Sequence, residues 1–102
     1  GGFNVDILKT REGGKLILAP DGRLDTSTAP QLEAEIKDAL TGVTELVLDF
    51  SRLEYLSSAG LRVILMAQKL MNAQGKMTVC HVNDIIMEVF EVTGFIDILT
   101  IE

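Results

Sequence analysis

Two adjacent hydroxyls, Ser57 and Ser58, stand in the most chemically suggestive stretch of the chain, Asp49-Phe50-Ser51-Arg52-Leu53-Glu54-Tyr55-Leu56-Ser57-Ser58-Ala59-Gly60-Leu61. The stretch leaves an apolar run and enters a helical pattern. Unpaired N–H groups and the helix dipole favour negative charge at such a start. A serine there can cap the helix, which is a preferred use of the residue. It can also accept a phosphoryl group, which adds roughly −1.5 to −2 charge. The fold could tolerate that charge at a helix start. An interface complementary to the neutral hydroxyl would instead meet repulsion and a desolvation cost. A binding surface could thus be switched off without unfolding the domain, and capping and switching are compatible.

Other groups invite chemical readings that their surroundings weaken. Asp25 and Asp49 could form paired acid–base carboxylates. No histidine, lysine or nucleophile constellation accompanies them in sequence, so no catalytic residue is expected. Asp25 is expected to top the following helix or meet a partner, and Asp49 to hold its strand exit. Cys80 and His81 are neighbours, yet a tetrahedral metal site wants about four ligands. Adjacent strand residues also point to opposite faces, so no metal is expected. Cys80 reads as a small buried core residue. Met66, Met71, Met77 and Met87 read mostly as core filler or ordinary surface. No Gly-x-Gly-x-x-Gly or Walker-type phosphate loop is present, and no cofactor is expected.

The elements that must position these groups follow from periodicity. Phe3, Val5 and Ile7 suggest a strand, Gly13-Gly14 a turn, and residues 15–19 a second strand, together a hairpin. Pro20-Asp21-Gly22 should break regular structure. Thr26-Ser27-Thr28 precedes a helix with Ala29, Leu32, Ile36, Ala39 and Leu40 inward. A hydroxyl can cap its start, Pro30 suits its first turn and Gly42 its stop. Residues 45–50 contain Leu46-Val47-Leu48, which fits a strand covered on both faces. A helix from Ser57 or Ser58 to about residue 73 should turn Leu61, Ile64, Leu65 and Gln68 to one side. Residues 76–82 read as a buried strand. Asn83 or Asp84 can cap a third helix, with Ile85, Ile86, Val89 and Phe90 inward and Gly94 as its stop. Ile96, Ile98 and Ile101 suggest a short closing strand or an irregular packed end. Strand–helix–strand passages of this length favour parallel pairing with right-handed crossovers. The expected fold is α/β: a mixed sheet, mainly parallel, with helices packed against it.

Bulk composition agrees with one domain. A chain of 102 residues, 47% hydrophobic and 24% charged, suffices for one core and not for two ordinary domains. Residues 3–102 are taken as that domain; Gly1 and Gly2, such as a cloning step could leave, carry no weight. The net charge of −6 and the scattered Lys and Arg argue against direct nucleic-acid binding and against an anionic membrane surface. No run approaches the roughly 18 apolar residues of a membrane span. No secretory signal pattern opens the sequence. A single cysteine allows no internal disulfide and fits a reducing cytoplasm.

Three short motifs carry a family resemblance. Asp49-x-Ser51 resembles the Asp-x-Ser strand exit of STAS domains, particularly bacterial anti-sigma-factor antagonists. Ser57-Ser58-Ala59-Gly60-Leu61 resembles their switch loop and helix start, and Gly22-Arg23-Leu24-Asp25 their Gly-x-Leu-Asp. The order of elements agrees from about residue 3 to residue 102. The resemblance implies a protein that binds an anti-sigma factor, itself an ATP-using serine kinase, and so releases a sigma factor. Phosphorylation by that kinase would end the complex, and a phosphatase would restore it. Transcription would be regulated indirectly, by a cytoplasmic monomer that is not an enzyme. The acceptor falls on Ser58, with Ser57 as the alternative, because the family often has Asp where Ser57 stands. Asp25, Thr26, Ser57, Ser58, Ala59, Gly60, Leu61 and Arg62 would form the partner surface. STAS domains also serve as constitutive subunits of membrane transport or sensory complexes, which is the alternative function.

Overall fold

The computed structural model describes residues 5–102. Phe3, placed above in the first strand, lies outside the described residues, as do Gly1 and Gly2. The elements are β1 (Asp6–Glu12), β2 (Lys15–Leu24), α1 (Ala29–Ala39), β3 (Glu45–Asp49), β4 (Leu53–Leu56), α2 (Ser58–Asn72), β5 (Lys76–Cys80) and α3 (Asp84–Thr93), followed by a 3-10 turn at Phe95–Asp97.

β1 and β2 form the expected antiparallel hairpin, from Glu12↔Lys15 at the turn to Asp6↔Asp21. The remaining ladders are parallel. The first half of β2 pairs with β3, and β3 pairs with β5 out to Asp49↔Cys80. The far end of β2 pairs with β4, through Gly22↔Leu53, Arg23↔Tyr55 and Leu24↔Leu56. Mixed pairing and three helices match the expected α/β class.

Alternation places the core. Leu16 and Leu18 on β2, Leu46 and Leu48 on β3, and Met77 and Val79 on β5 are buried on one face. Leu32 and Ile36 of α1, Ile64, Ala67 and Met71 of α2, and Ile86 and Phe90 of α3 join them in a single cluster. Each of these side chains except Ala67 contributes about 1.5–3 kcal/mol by leaving water. Among the described residues, no helix is long and apolar enough to cross a membrane.

Several local expectations are corrected. Pro20 does not end the second strand; β2 runs through it to Leu24. The break is absorbed as a register shift between Gly22 and Arg23, with Gly22 at φ 112°. Glycine takes that conformation without steric cost, so the strand bends instead of stopping. Val47 is only half-buried, so β3 is not fully covered on both faces. β4 was not anticipated, since four residues are too few to show a period. Leu65 is half-buried, and Ile85 is 63% exposed because the inward stripe of α3 centres on Ile86 and Phe90. No closing strand forms. Ile101 makes an isolated parallel bridge to Val79, while Ile96 and Ile98 are exposed.

Candidate functional site

β2, β3, β4 and β5 run in one direction. The segments that follow them, residues 25–28, 50–52, 57–62 and 81–83, therefore emerge at the same end of the sheet. Open α/β sheets commonly bind ligands at this end.

α2 begins here for a local reason. Ser57 is extended, with φ −94° and ψ 179°, and its Oγ accepts a hydrogen bond from Ala59 N–H at 3.2 Å. Its own N–H donates to the Leu24 carbonyl at 2.8 Å, and its carbonyl accepts from Leu61 N–H at 3.0 Å. Ser57 is thus the cap, and Ser58 is the first helical residue. Ser58 is exposed, and among the described residues its hydroxyl has no hydrogen-bond partner. The cap assignment left open between the two serines is settled by this geometry.

Gly60 sets how closely α2 approaches the sheet. A Cβ there would overlap Leu56 Cδ1 and stand 3.0 Å from Leu24 Cβ and 3.2 Å from the Leu24 carbonyl oxygen. Leu56 could turn aside, but that carbonyl is held by Ser57 N–H. Gly60 and Leu61 are both buried, as part of the inward stripe with Ile64, Ala67, Gln68 and Met71. Both were placed above among the partner-surface residues; in the fold they seat the helix against the sheet. Ser58 and Arg62 are exposed, and at a spacing of four they lie on one helix face. Ala59 and Ser57 are half-buried beside them.

The loop after β2 is organised by Asp25. Its Oδ1 accepts from Ser27 N–H at 2.9 Å, Ser27 Oγ at 3.0 Å and Thr28 N–H at 3.1 Å. Thr28 Oγ1 donates to the Arg23 carbonyl at 2.7 Å and accepts from Asp25 N–H at 2.9 Å. The expected hydroxyl cap of α1 therefore does not form, because Thr28 spends its hydroxyl backwards. The Ser27 hydroxyl, with the N–H groups of Thr28 and Ser27, holds the Asp25 carboxyl below its ordinary value. Thr26 sits exposed in this loop. Beside it the Arg23 guanidinium lies 4.3 Å over the Tyr55 ring. This platform, like β4, has little local signal in the sequence: a lone tyrosine between Glu54 and Leu56.

A second cluster sits where β3 and β5 end. Asp49 Oδ1 accepts Ser51 N–H at 3.0 Å, as expected of a residue holding the strand exit, and meets His81 Nδ1 at 2.9 Å. His81 is the one described non-glycine residue with positive φ, at 57°. It lies past the end of β5, so strand alternation no longer governs it, and its ring turns back. One ligand atom each of Asp49, Cys80 and His81 lies within 4.8 Å of the others. The expectation that Cys80 and His81 point apart is corrected. Cys80 is also half-buried rather than a core residue. Burial, with the Asp49 and Glu102 carboxylates, pushes its thiol above the ordinary value. Burial also pushes Asp49 up, but hydrogen bonds from Ser51 and His81 outweigh it and the net direction is down. Asp25 and Asp49 are each hydrogen-bonded within their own surroundings.

A cleft of about 510 Å³ is lined by residues that include Lys37, Leu40, Gly42, Val43, Leu70 and Gln74. It lies at the opposite end of the sheet, where β3 begins, away from every group described above. The residues with chemistry form an open surface instead.

The chain belongs to the STAS domain family, whose pattern matches residues 6–102. It is 41% identical over 90 residues to the putative anti-sigma factor antagonist BtrV of Bordetella bronchiseptica, covering 86% of this chain and 78% of that protein. It is 31% identical over 102 residues to the anti-sigma F factor antagonist of Paenibacillus polymyxa, covering 97% and 87%. Its fold is similar to the crystal structure of an anti-sigma factor antagonist from Mycobacterium paratuberculosis, with a TM-score of 0.86 at 22% identity, over 95% of this chain and 84% of that one.

Proposed function

We propose that this chain is an anti-sigma factor antagonist whose neutral Ser58 face binds an anti-sigma factor with serine kinase activity. Phosphorylation at Ser58 switches that binding off. One observation carries the reading: Ser57 caps α2 with its own side chain, leaving the Ser58 hydroxyl exposed and uncommitted. The names of the relatives support an anti-sigma factor as the partner.

In this mechanism the Ser58 oxygen attacks the γ-phosphorus of ATP held by the kinase. An O–P bond forms, ADP leaves, and the serine proton passes to solvent or to a kinase base. The product carries roughly −1.5 to −2 charge at the helix start. The unpaired N–H groups of the first turn and Arg62, one turn along, favour that charge within the fold. The bound partner face, matched to a neutral hydroxyl, does not. A phosphatase removes the group by hydrolysis. Asp25, Thr26, Ser57, Ser58, Ala59 and Arg62 make the interface, while Gly60 and Leu61 hold it in place. The chain acts as a cytoplasmic monomer and regulates transcription indirectly, through the anti-sigma factor.

The test uses purified anti-sigma kinase from the native host and Ser58→Ala and Ser58→Glu chains in a binding titration. Ser58→Ala is expected to bind like the unmodified chain and to take up no phosphate. Ser58→Glu is expected to bind at least about tenfold more weakly, on the order of 1.4 kcal/mol. Equal affinity of the two variants would sink the switch and leave a constitutive assembly domain.

A further inference from the structure

We propose that Asp49, Cys80 and His81 form a zinc-binding site at the carboxyl end of β3 and β5, separate from the Ser58 surface. Asp49 and Cys80 are register partners in the β3–β5 ladder. Their side chains therefore stand side by side on the same, less covered face of the sheet. The next residue, His81, adopts φ 57° and brings Nδ1 to 2.9 Å from Asp49 Oδ1. Left-handed backbone is uncommon for a non-glycine residue and costs free energy. Here it folds an imidazole back over a carboxylate and a thiol.

The donor set suits zinc. A thiolate sulfur, an imidazole nitrogen and a carboxylate oxygen are all zinc ligands, and three protein ligands with a water in the fourth position make a common open site. Oxygen-seeking cations such as magnesium and calcium do not favour a thiolate. A thiolate and a carboxylate together balance the charge of a divalent ion. One ligand atom from each residue already lies within 4.8 Å of the others, so closure about an ion needs only side-chain rotations. Binding displaces the thiol proton to solvent, while an imidazole ligating through one ring nitrogen keeps its proton on the other. The strand ends are already joined by Phe50 N–H to the Cys80 carbonyl at 2.9 Å, which gives the site a fixed frame.

The experiment titrates the full chain with Co²⁺ and then Zn²⁺, in a buffer whose reductant does not bind metal. One equivalent of Co²⁺ is expected to give a thiolate-to-cobalt charge-transfer band in the near ultraviolet, removed by one equivalent of Zn²⁺. Cys80→Ser should abolish the band. His81→Asn, which keeps a side chain tolerant of left-handed backbone, should weaken Zn²⁺ affinity at least about tenfold, the loss typical of even a supporting residue. Both positions lie outside the central core, and circular dichroism checks that each variant is folded. Absence of the band, or Zn²⁺ affinity unchanged in both variants, overturns the proposal.

Discussion

At the scale of single residues, the structure divides labour between two adjacent serines. Ser57 spends its hydroxyl on the helix start, and Ser58 keeps its own free. Ser57→Ala should therefore lower stability by about 1 kcal/mol, the usual cost of losing a cap. Ser58→Ala, at an exposed site, should stay within about 0.5 kcal/mol of the unmodified chain. Urea denaturation measures both. Phosphate uptake should show the reverse pattern, kept in Ser57→Ala and lost in Ser58→Ala. Asp25 adds a pH dependence. Its folded value lies below its ordinary one, chiefly through the Ser27 hydroxyl. The stability it contributes is therefore present above the unfolded value, about 3.9 for an aspartate. It is lost as pH falls through the lower folded value. Asp25→Asn retains an acceptor but cannot titrate. Its urea midpoint should fall less than that of the unmodified chain when pH drops from 5 to about 3.

At the scale of elements, the decisive contact is the N-terminal turn of α2 against the end of β2. Two effects oppose each other at Gly60. Alanine in a helix is intrinsically better than glycine by about 1 kcal/mol. Against that, the new methyl would press on Leu24, whose carbonyl is fixed by Ser57 N–H, and on Leu56. Overpacking of this kind costs about 1–3 kcal/mol, so steric crowding should win. Gly60→Ala is expected to lower the thermal midpoint and to weaken kinase binding together, because the turn that presents Ser58 must move. A variant that binds unchanged while melting earlier would show that the turn tolerates displacement. The Arg23–Tyr55 platform belongs to the same scale. It exists only because β4 pairs with the far end of β2.

At the scale of the whole molecule, one cluster of buried side chains joins all three helices to the sheet. Phe50, 1% exposed, lies in that cluster next to Asp49 and carries its backbone N–H to Cys80. Phe50→Ala should cost about 3–5 kcal/mol. A domain of this size is stable by only about 5–15 kcal/mol. The variant should therefore unfold at much lower urea, in one transition seen alike by circular dichroism and fluorescence. Loss of only one element, with the rest intact, would contradict a single core.

What the amino-acid order determined by itself was the fold class and the order of its elements. The apolar run in residues 45–50 and the helical stripe of residues 58–73 are local patterns, so α/β order, parallel crossovers and a helix start at Ser57–Ser58 were legible, while the half-exposure of Val47 was not. So was Asp49 as the strand-exit clasp, because an aspartate bonding two residues ahead is a local event. The tertiary structure decided what depends on distant partners. Which serine caps α2 depends on Leu24 accepting Ser57 N–H across the sheet. Gly60 and Leu61 turned inward because a neighbouring strand lies beneath them. Pro20 stayed in a strand because it pairs with Ile7 of β1 and falls on its other side between the β3 and β4 ladders, where no parallel partner needs its missing N–H. Cys80 and His81 met Asp49 because one positive φ and one ladder register act together. Local preference writes the elements; contacts between residues far apart in sequence choose which side chains face outward.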